Sequence, residues 1–267
     1  MRKIISLAAV GTLALGLAAC SSDDSKSSDT LKVGASAVPH AEILEYIQKN
    51  LADKEGLKLD VKVFDDYSLQ NPALVDGSID ANFFQHKPYL DKYNAENKKD
   101  LVPVGPVHLE PLGLYSKKNK AVAEIKDGAT ISFPNDATNG GRALKLLADN
   151  GLIKLKDGVG VNATEKDVAE NPKNLKFKAL DAEQLPRTLD DVDASVINGN
   201  YALQAKLTAK DALVLEKAEG NPYANVLVVK KGQEKDEKVQ KLQKLLNSPE
   251  VKKFIEDKYQ GSVLPAF

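Results

Sequence analysis

The sequence predicts an α/β fold in two lobes, and three observations carry that prediction. Short apolar runs of strand length alternate with amphipathic runs of helix length along most of the chain, the pattern of helices layered on mostly parallel sheets. At 267 residues the chain is too long for one compact doubly wound sheet without large insertions. Two strand-like runs, Gly113–Ser116 and Val226–Lys230, bracket the middle of the chain, so the chain is expected to cross between lobes twice. The expected division places residues 31–112 and 226–267 in lobe I and residues 113–225 in lobe II.

The elements follow in order. Arg2 and Lys3 precede an apolar stretch that closes in Leu17-Ala18-Ala19-Cys20. A basic tip, an apolar segment and small residues before a cut site make a secretory signal peptide over residues 1–19. The cysteine at the cut point gives it the look of a bacterial lipoprotein signal, with Cys20 lipidated and the protein held outside the cytoplasmic membrane. Residues 21–30, SSDDSKSSDT, offer no apolar side chain to bury and read, with Cys20, as a tether. Leu31–Ala35 is a strand. Ala41–Lys54 is a helix with Ile43, Leu44, Ile47 and Leu51 on one face. Leu59–Phe64 alternates as a half-buried strand. Leu69–Asp76 is a helix stopped by Gly77, Ala81–Phe84 a strand, Lys87–Lys98 a helix with Pro88 in its first turn, and Leu101–Val107 a strand. Lobe II is expected to hold strands Thr130–Phe133, Leu175–Ala179 and Ala194–Asn198, and helices Gly140–Asn150, Glu183–Leu189 and Tyr201–Lys206. The polar stretch Asp157–Asn174 reads as a surface excursion. Near the C-terminus Val239, Leu242, Leu245 and Leu246 share a helical face, and Ser248-Pro249 restarts a helix.

Composition narrows the function. A net charge of −1 argues against nucleic acid and acidic membranes as partners. No apolar run after Cys20 is long enough to span a bilayer. Cys20 is the single cysteine, so a lipidated chain forms no disulfide and the fold rests on packing.

Three segments carry candidate chemistry. In TISFPNDATNGGR, residues 130–142, a strand ends at Pro134 and a helix is expected to start near Gly140. A helix start attracts anions, Gly140 and Gly141 would let a ligand approach the backbone, and Arg142 adds a fork matched to a carboxylate. Spacing alone leaves an equal reading, a surface arginine beside a helix cap. In NFFQHKPY, residues 82–89, Phe84, His86 and Tyr89 could wall a small, partly apolar ligand. Spacing alone favours a core phenylalanine beside ordinary polar residues. In SVINGNY, residues 195–201, an apolar strand delivers Asn198 to its carboxyl end, where ligands of parallel α/β sheets bind. Pro222-Tyr223-Ala224-Asn225 puts a second amide at the return crossing, although a lone asparagine is more often a turn residue.

Together with GASAVPHAEIL, FDDYSLQNPAL, GLIKLKDGVG, ENPKNLK and QLPRTLDD, these segments resemble the NlpA/MetQ family of methionine-binding lipoproteins, the substrate-binding subunits of methionine ABC importers. The resemblance runs from Leu31 to about Phe267. It implies a two-lobed periplasmic-binding-protein fold of type II that closes on one amino acid, without a cofactor. It also implies L-methionine as ligand, with D-methionine, a methionine-containing dipeptide or another small amino acid as alternatives. An ABC permease and its ATPase are the implied partners. Carried over by motif, the ligand residues are Tyr67, Phe84, His86, Tyr89, Arg142, Asn198 and Asn225. Arg142 would meet the α-carboxylate, the two asparagines the polar backbone atoms, and the remaining four would form the side-chain pocket. Aromatic surroundings suit a thioether, by about 0.3–1.5 kcal/mol per contact. Phe83 doubles the aromatic before Gln85, where family members often vary.

Two rival classes are less well supported. A metal-capturing lipoprotein could gather His40, His86 and His108 with Glu110, but no pair has the close spacing of a metal motif. A hydrolase would need a nucleophile elbow or HExxH, and neither occurs. The acid pairs Asp65-Asp66 and Asp190-Asp191 are adjacent and point different ways.

Overall fold

The computed structural model describes residues 30–267. The expected signal peptide, Cys20 and the tether up to residue 29 lie outside the described residues. The chain opens with β1 (Thr30–Ser36), α1 (Glu42–Asn50), β2 (Lys58–Phe64), α2 (Tyr67–Asp76), β3 (Ala81–His86), α3 (Lys87–Asn97) and β4 (Val102–Leu109). It continues with β5 (Gly113–Tyr115), β6 (Thr130–Pro134), α4 (Ala137–Asp149), β7 (Lys154–Leu155), β8 (Val168–Glu170), β9 (Lys176–Leu180), β10 (Ala194–Ile197), α5 (Gly199–Gln204) and β11 (Ala212–Leu215). It returns through β12 (Asn225–Val229), α6 (Glu237–Leu246), α7 (Pro249–Tyr259) and β13 (Leu264–Pro265).

Two main sheets result, with orders β13-β4-β12-β3-β1-β2 and β11-β5-β10-β6-β9. They share a plan. In each, three strands run parallel (β2-β1-β3 and β9-β6-β10), and the strand beside the third is antiparallel and follows a passage from the other sheet. That strand is β12 in the six-stranded sheet and β5 in the five-stranded one. The sheets are therefore mixed rather than mostly parallel. A strand returning from the opposite lobe enters at the cleft end, where the parallel strands finish, so it must run the other way.

Helices cover both faces of the six-stranded sheet. Leu227 and Val229 of β12 join the core under α1, α6 and α7, with Val33, Ile43, Leu44, Ile47, Leu242, Leu246 and Ile255. Val226 and Val228 alternate to the other face and meet Leu74, Ile79 and Leu90 of the α2 and α3 side. The second core packs Ile131, Phe133, Leu144, Leu147 and Val196.

Three expectations need correction. Helix α4 starts at Ala137, not near Gly140, because Asp136 caps it by accepting from the Asn139 N–H at 3.0 Å. Gly140 and Gly141 therefore lie a turn inside the helix and serve packing. A Cβ on Gly141 would fall 2.1 Å from the Val161 carbonyl oxygen, and one on Gly140 2.9 Å from that of Pro134. The stretch Asp157–Asn174 is accordingly more than a surface excursion. Its 160–163 turn seats on α4, Ala163 is buried in the second core, and β8 pairs with β7. Residues 182–190 form a 3₁₀ turn containing Pro186 rather than an α-helix.

Gly141→Ala is expected to lower the urea midpoint, with a cost of about 1–3 kcal/mol from overpacking against backbone that cannot step aside. An unchanged midpoint would show that the 160–163 turn does not press on α4.

Candidate ligand-binding site

Because both sheets point the carboxyl ends of their parallel strands at the gap between them, polar side chains after those strands converge there. His86 ends β3, Glu110 follows β4, Asp136–Arg142 follow β6, and Asn198 follows β10. Asn225 opens the antiparallel β12 from the same side. The gap and the solvent at its mouth together make about 350 Å³ of space not filled by atoms. All seven residues singled out from the sequence border it: Tyr67, Phe84, His86, Tyr89, Arg142, Asn198 and Asn225. Gln85, Glu110, Asn139, Gly199 and Asn200 complete the lining.

One wall is aromatic. A register shift where β3 meets β12 leaves Phe84 as the extra residue, since Val226 pairs with Gln85 and Leu227 with Phe83. Such a bulge re-aims neighbouring side chains. Phe83 turns into the core, with ring centroids 4.8 Å from His40 and 5.2 Å from His108. Phe84 turns into the cleft, 5.8 Å from Tyr67 and 5.7 Å from Tyr89. The doubled phenylalanine thus serves two sites. Behind the wall, Asn71, Asn82 and Gln85 bond one another in a buried amide cluster at 2.6–3.0 Å.

The opposite side carries the charge. Arg142 is 4% exposed and gives its Nε and Nη2 edge to the Glu216 carboxylate, with Nε–Oε1 at 2.9 Å. Nη2 also donates to the Glu110 carbonyl at 2.9 Å, and the guanidinium carbon stands 4.2 Å from the Tyr223 ring centroid. Glu216, Tyr223 and Asn225 all belong to the second passage between sheets or its end. Since the Asp136 carboxylate already occupies the start of α4, the positive group that this helix brings to the cleft is Arg142 rather than the helix tip.

Glu110, which the sequence offers only as a metal ligand, is the second buried ionisable group. Its Oε1 lies 2.8 Å from His108 Nε2 and 3.3 Å from His40 Nε2, and the Asn200 N–H donates to the carboxylate. Burial pushes its carboxyl pKa up, while His40, Arg142 and the Asn200 N–H pull it back. Gly199 permits this seating, because a Cβ there would lie 2.7 Å from that of Glu110. No spacing rule marks Glu110. The signal available was its place directly after a strand whose end faces the cleft.

His40, His108 and Glu110 bring their ligand-type atoms within 4.8 Å, whereas His86 lies apart. The Nδ1 of both clustered imidazoles has no hydrogen-bond partner, while an imidazole that holds a metal has its second nitrogen tied to an acceptor. The contacts are those of a hydrogen-bonded group. His86 accepts from the Tyr89 N–H through Nδ1 at 3.1 Å, so its Nε2–H donates to Asn139 Oδ1 at 3.1 Å across the gap. Tyr67 donates to Asn200 Oδ1, also across the gap. Asn198 Oδ1 and Asn200 Nδ2 are buried in the lining without partners, an arrangement that suits a polar ligand.

This fold and site define a two-lobed substrate-binding protein of the periplasmic-binding class. The chain belongs to the NlpA lipoprotein family, whose model matches residues 31–267. It is 44% identical to the methionine-binding lipoprotein MetQ of Bacillus subtilis over 272 residues, covering 99% of each chain. It is 46% identical to the D-methionine-binding lipoprotein MetQ of Escherichia coli K12 over 254 residues, covering 93% of each. Among solved structures, a nutrient-binding protein from Burkholderia cenocepacia bound to methionine superposes with a TM-score of 0.86 at 47% identity, over 89% of this chain and all of that one. Among the described residues no helix is long and apolar enough to cross a membrane.

Burial holds the three histidines neutral, lowering His40 to about 4, and His86 and His108 to about 3, with Arg142 adding to the shift of His86. The unfolded chain takes up these protons from about 6.5 downward. Stability conferred by the neutral rings is therefore full above that pH and is lost as pH falls towards the folded values. The raised carboxyl of Glu110 works in the opposite sense and offsets part of the loss. Urea unfolding between pH 7 and 4.5 should show stability falling by up to about 1.4 kcal/mol per pH unit for each histidine. A flat profile would contradict neutral buried rings.

Proposed function

We propose that this chain is a lipid-anchored extracytoplasmic receptor that captures methionine and hands it to an ABC permease driven by its ATPase, and that it is not an enzyme. The observation that carries the reading is that one cleft is lined by buried Arg142 and Glu110, side chains of opposite charge type, together with the rings of Tyr67, Phe84 and Tyr89. That is the outline of a zwitterion with an apolar tail. The free Nη1 edge of Arg142 meets the α-carboxylate. Glu110 and Asn198 accept from the ammonium, and Asn225 steadies the polar end. The rings and His86 enclose the thioether. Lobe I comprises residues 31–112 and 226–267 and lobe II residues 113–225, and the lobes hinge at the two passages between the sheets. Anchoring rests on Cys20, consistent with relatives named as lipoproteins.

Calorimetry on refolded protein with L-methionine, D-methionine and glycyl-methionine tests the reading and ranks the ligands. At least one of the three is expected to bind with measurable heat, and heat from none of them would refute the proposal. Arg142→Ala should weaken methionine binding by about 2–5 kcal/mol, because the ligand's carboxylate is left buried and unpaired. Lys145→Ala should leave affinity unchanged, since Lys145 is exposed and pairs with Asp149. Equal affinity in the two variants would remove Arg142 from the site. Cys20→Ser should move the protein from the membrane fraction to the soluble fraction with its affinity intact; continued membrane attachment would defeat the lipid-anchor reading.

A further inference from the structure

His108 is fully buried and borders no part of the cleft, yet its Nε2 stands 2.8 Å from the Glu110 carboxylate. Its Nδ1 has no partner. The ring is packed edge-on to Phe83 and tilted against His40 at 4.8 Å, so it has no freedom to turn away. His40 Nε2 lies 3.3 Å from the same Glu110 oxygen and 3.1 Å from Asn225 Oδ1, so it spans two residues of the cleft lining. A neutral His108 with Nε2–H places one donor on Glu110 Oε1, while the Nε2–H of His40 goes to Asn225 Oδ1 and stands beside the same oxygen. With the Asn200 N–H as the other donor, the carboxylate keeps lone pairs for a ligand, and its Oε2 borders Gly199 of the cleft lining.

We propose that His108, with His40 beside it, is a positioning residue. It never touches the ligand. Its Nε2–H fixes the Glu110 carboxylate in its ionised form and orientation, so that Glu110 accepts specifically from the ligand's ammonium group. The inference rests on the amino-acid-binding reading above and deepens it, because it assigns discrimination for a free amine to a donor outside the cleft. Other titratable groups acting on this site are Arg142 from α4, Tyr67 from α2 and Tyr259 from α7. None of them offers an N–H to Oε1 as His108 does. Burial pushes the Glu110 carboxyl pKa up, so a donor held 2.8 Å from Oε1 favours the ionised form that attracts an ammonium.

The test compares L-methionine with 4-(methylsulfanyl)butanoate, the same molecule without its amine, on wild type, His108→Leu and His108→Gln. His108→Leu is expected to lose about 10- to 100-fold in L-methionine affinity while its affinity for the amine-free acid changes less than about threefold. The amine-free acid thereby reports that the cleft is still folded. His108→Gln, whose amide restores a donor, should recover most of the loss. In His108→Leu, L-methionine affinity should also decline as pH falls from 8 to 6, where wild type stays level. Equal losses for both ligands, or glutamine and leucine variants that behave alike, would overturn the positioning role. A wild-type protein that binds the amine-free acid as tightly as L-methionine would overturn the ammonium contact itself. A wild-type protein that binds neither would overturn the underlying receptor reading and the inference with it, a result distinct from the first two.

Discussion

The arrangement depends on two buried ionisable groups, Arg142 and Glu110, held between two lobes. Removing a guanidinium or a carboxylate from water costs several kcal/mol unless neighbours replace the lost hydration. Arg142 obtains that replacement from Glu216 and the Tyr223 face, both on the second passage between the sheets. Glu110, at the start of the first passage, obtains it from the His108 imidazole and a backbone N–H, with His40 3.3 Å away. Each charge is thus secured to a segment that joins the lobes. A change in how the lobes sit must alter the solvation of these charges, and a ligand that neutralises them must favour one setting of the lobes over others.

The common plan of the two sheets explains why such residues meet at all. Parallel strands deliver their carboxyl ends to one side, and each lobe repeats the second-first-third order before an antiparallel strand arrives from its neighbour. The site then needs few special devices. A bulge at Phe84 separates a core ring from a cleft ring, and Gly199 makes room for Glu110. These local irregularities occur where regular strand geometry would point the wrong side chain into the gap.

Much of this was legible in the letters. Periodicity located most strands and helices, because alternation and the 3.6-residue repeat both report burial directly. The seven candidate residues border one cleft because six of them lie at strand ends or in the helices that follow strands, which are readable, while Phe84 enters through a bulge within β3. What was not legible depended on distant packing. Gly140-Gly141 reads as a ligand approach but lies inside α4, since capping by Asp136 moves the helix start and the 160–163 turn claims the space. Glu110 and Glu216 sit in unremarkable sequence and gain their meaning from Arg142 and His108, separated from them by between 2 and 74 positions. His40 and His108 likewise have no local motif, although the fold packs both edge-on against Phe83.

The division of labour across the cleft bears on how a ligand could control closure. The contacts that bridge it directly include Tyr67 to Asn200, His86 to Asn139, and Tyr201 to the Asp65 carbonyl. Each such hydrogen bond is worth only about 0.5–1.5 kcal/mol net, because water replaces it when the lobes part. Interfaces of this polar kind permit relative motion between lobes. A zwitterion that bonded Arg142 and Glu110 while its tail filled the ring wall would add charge-assisted contacts to both sides at once, each worth about twice a neutral hydrogen bond. The balance between open and closed lobes would then be decided mainly by whether the cleft is filled, which is the property a delivery protein needs if its transporter is to distinguish loaded receptors from empty ones.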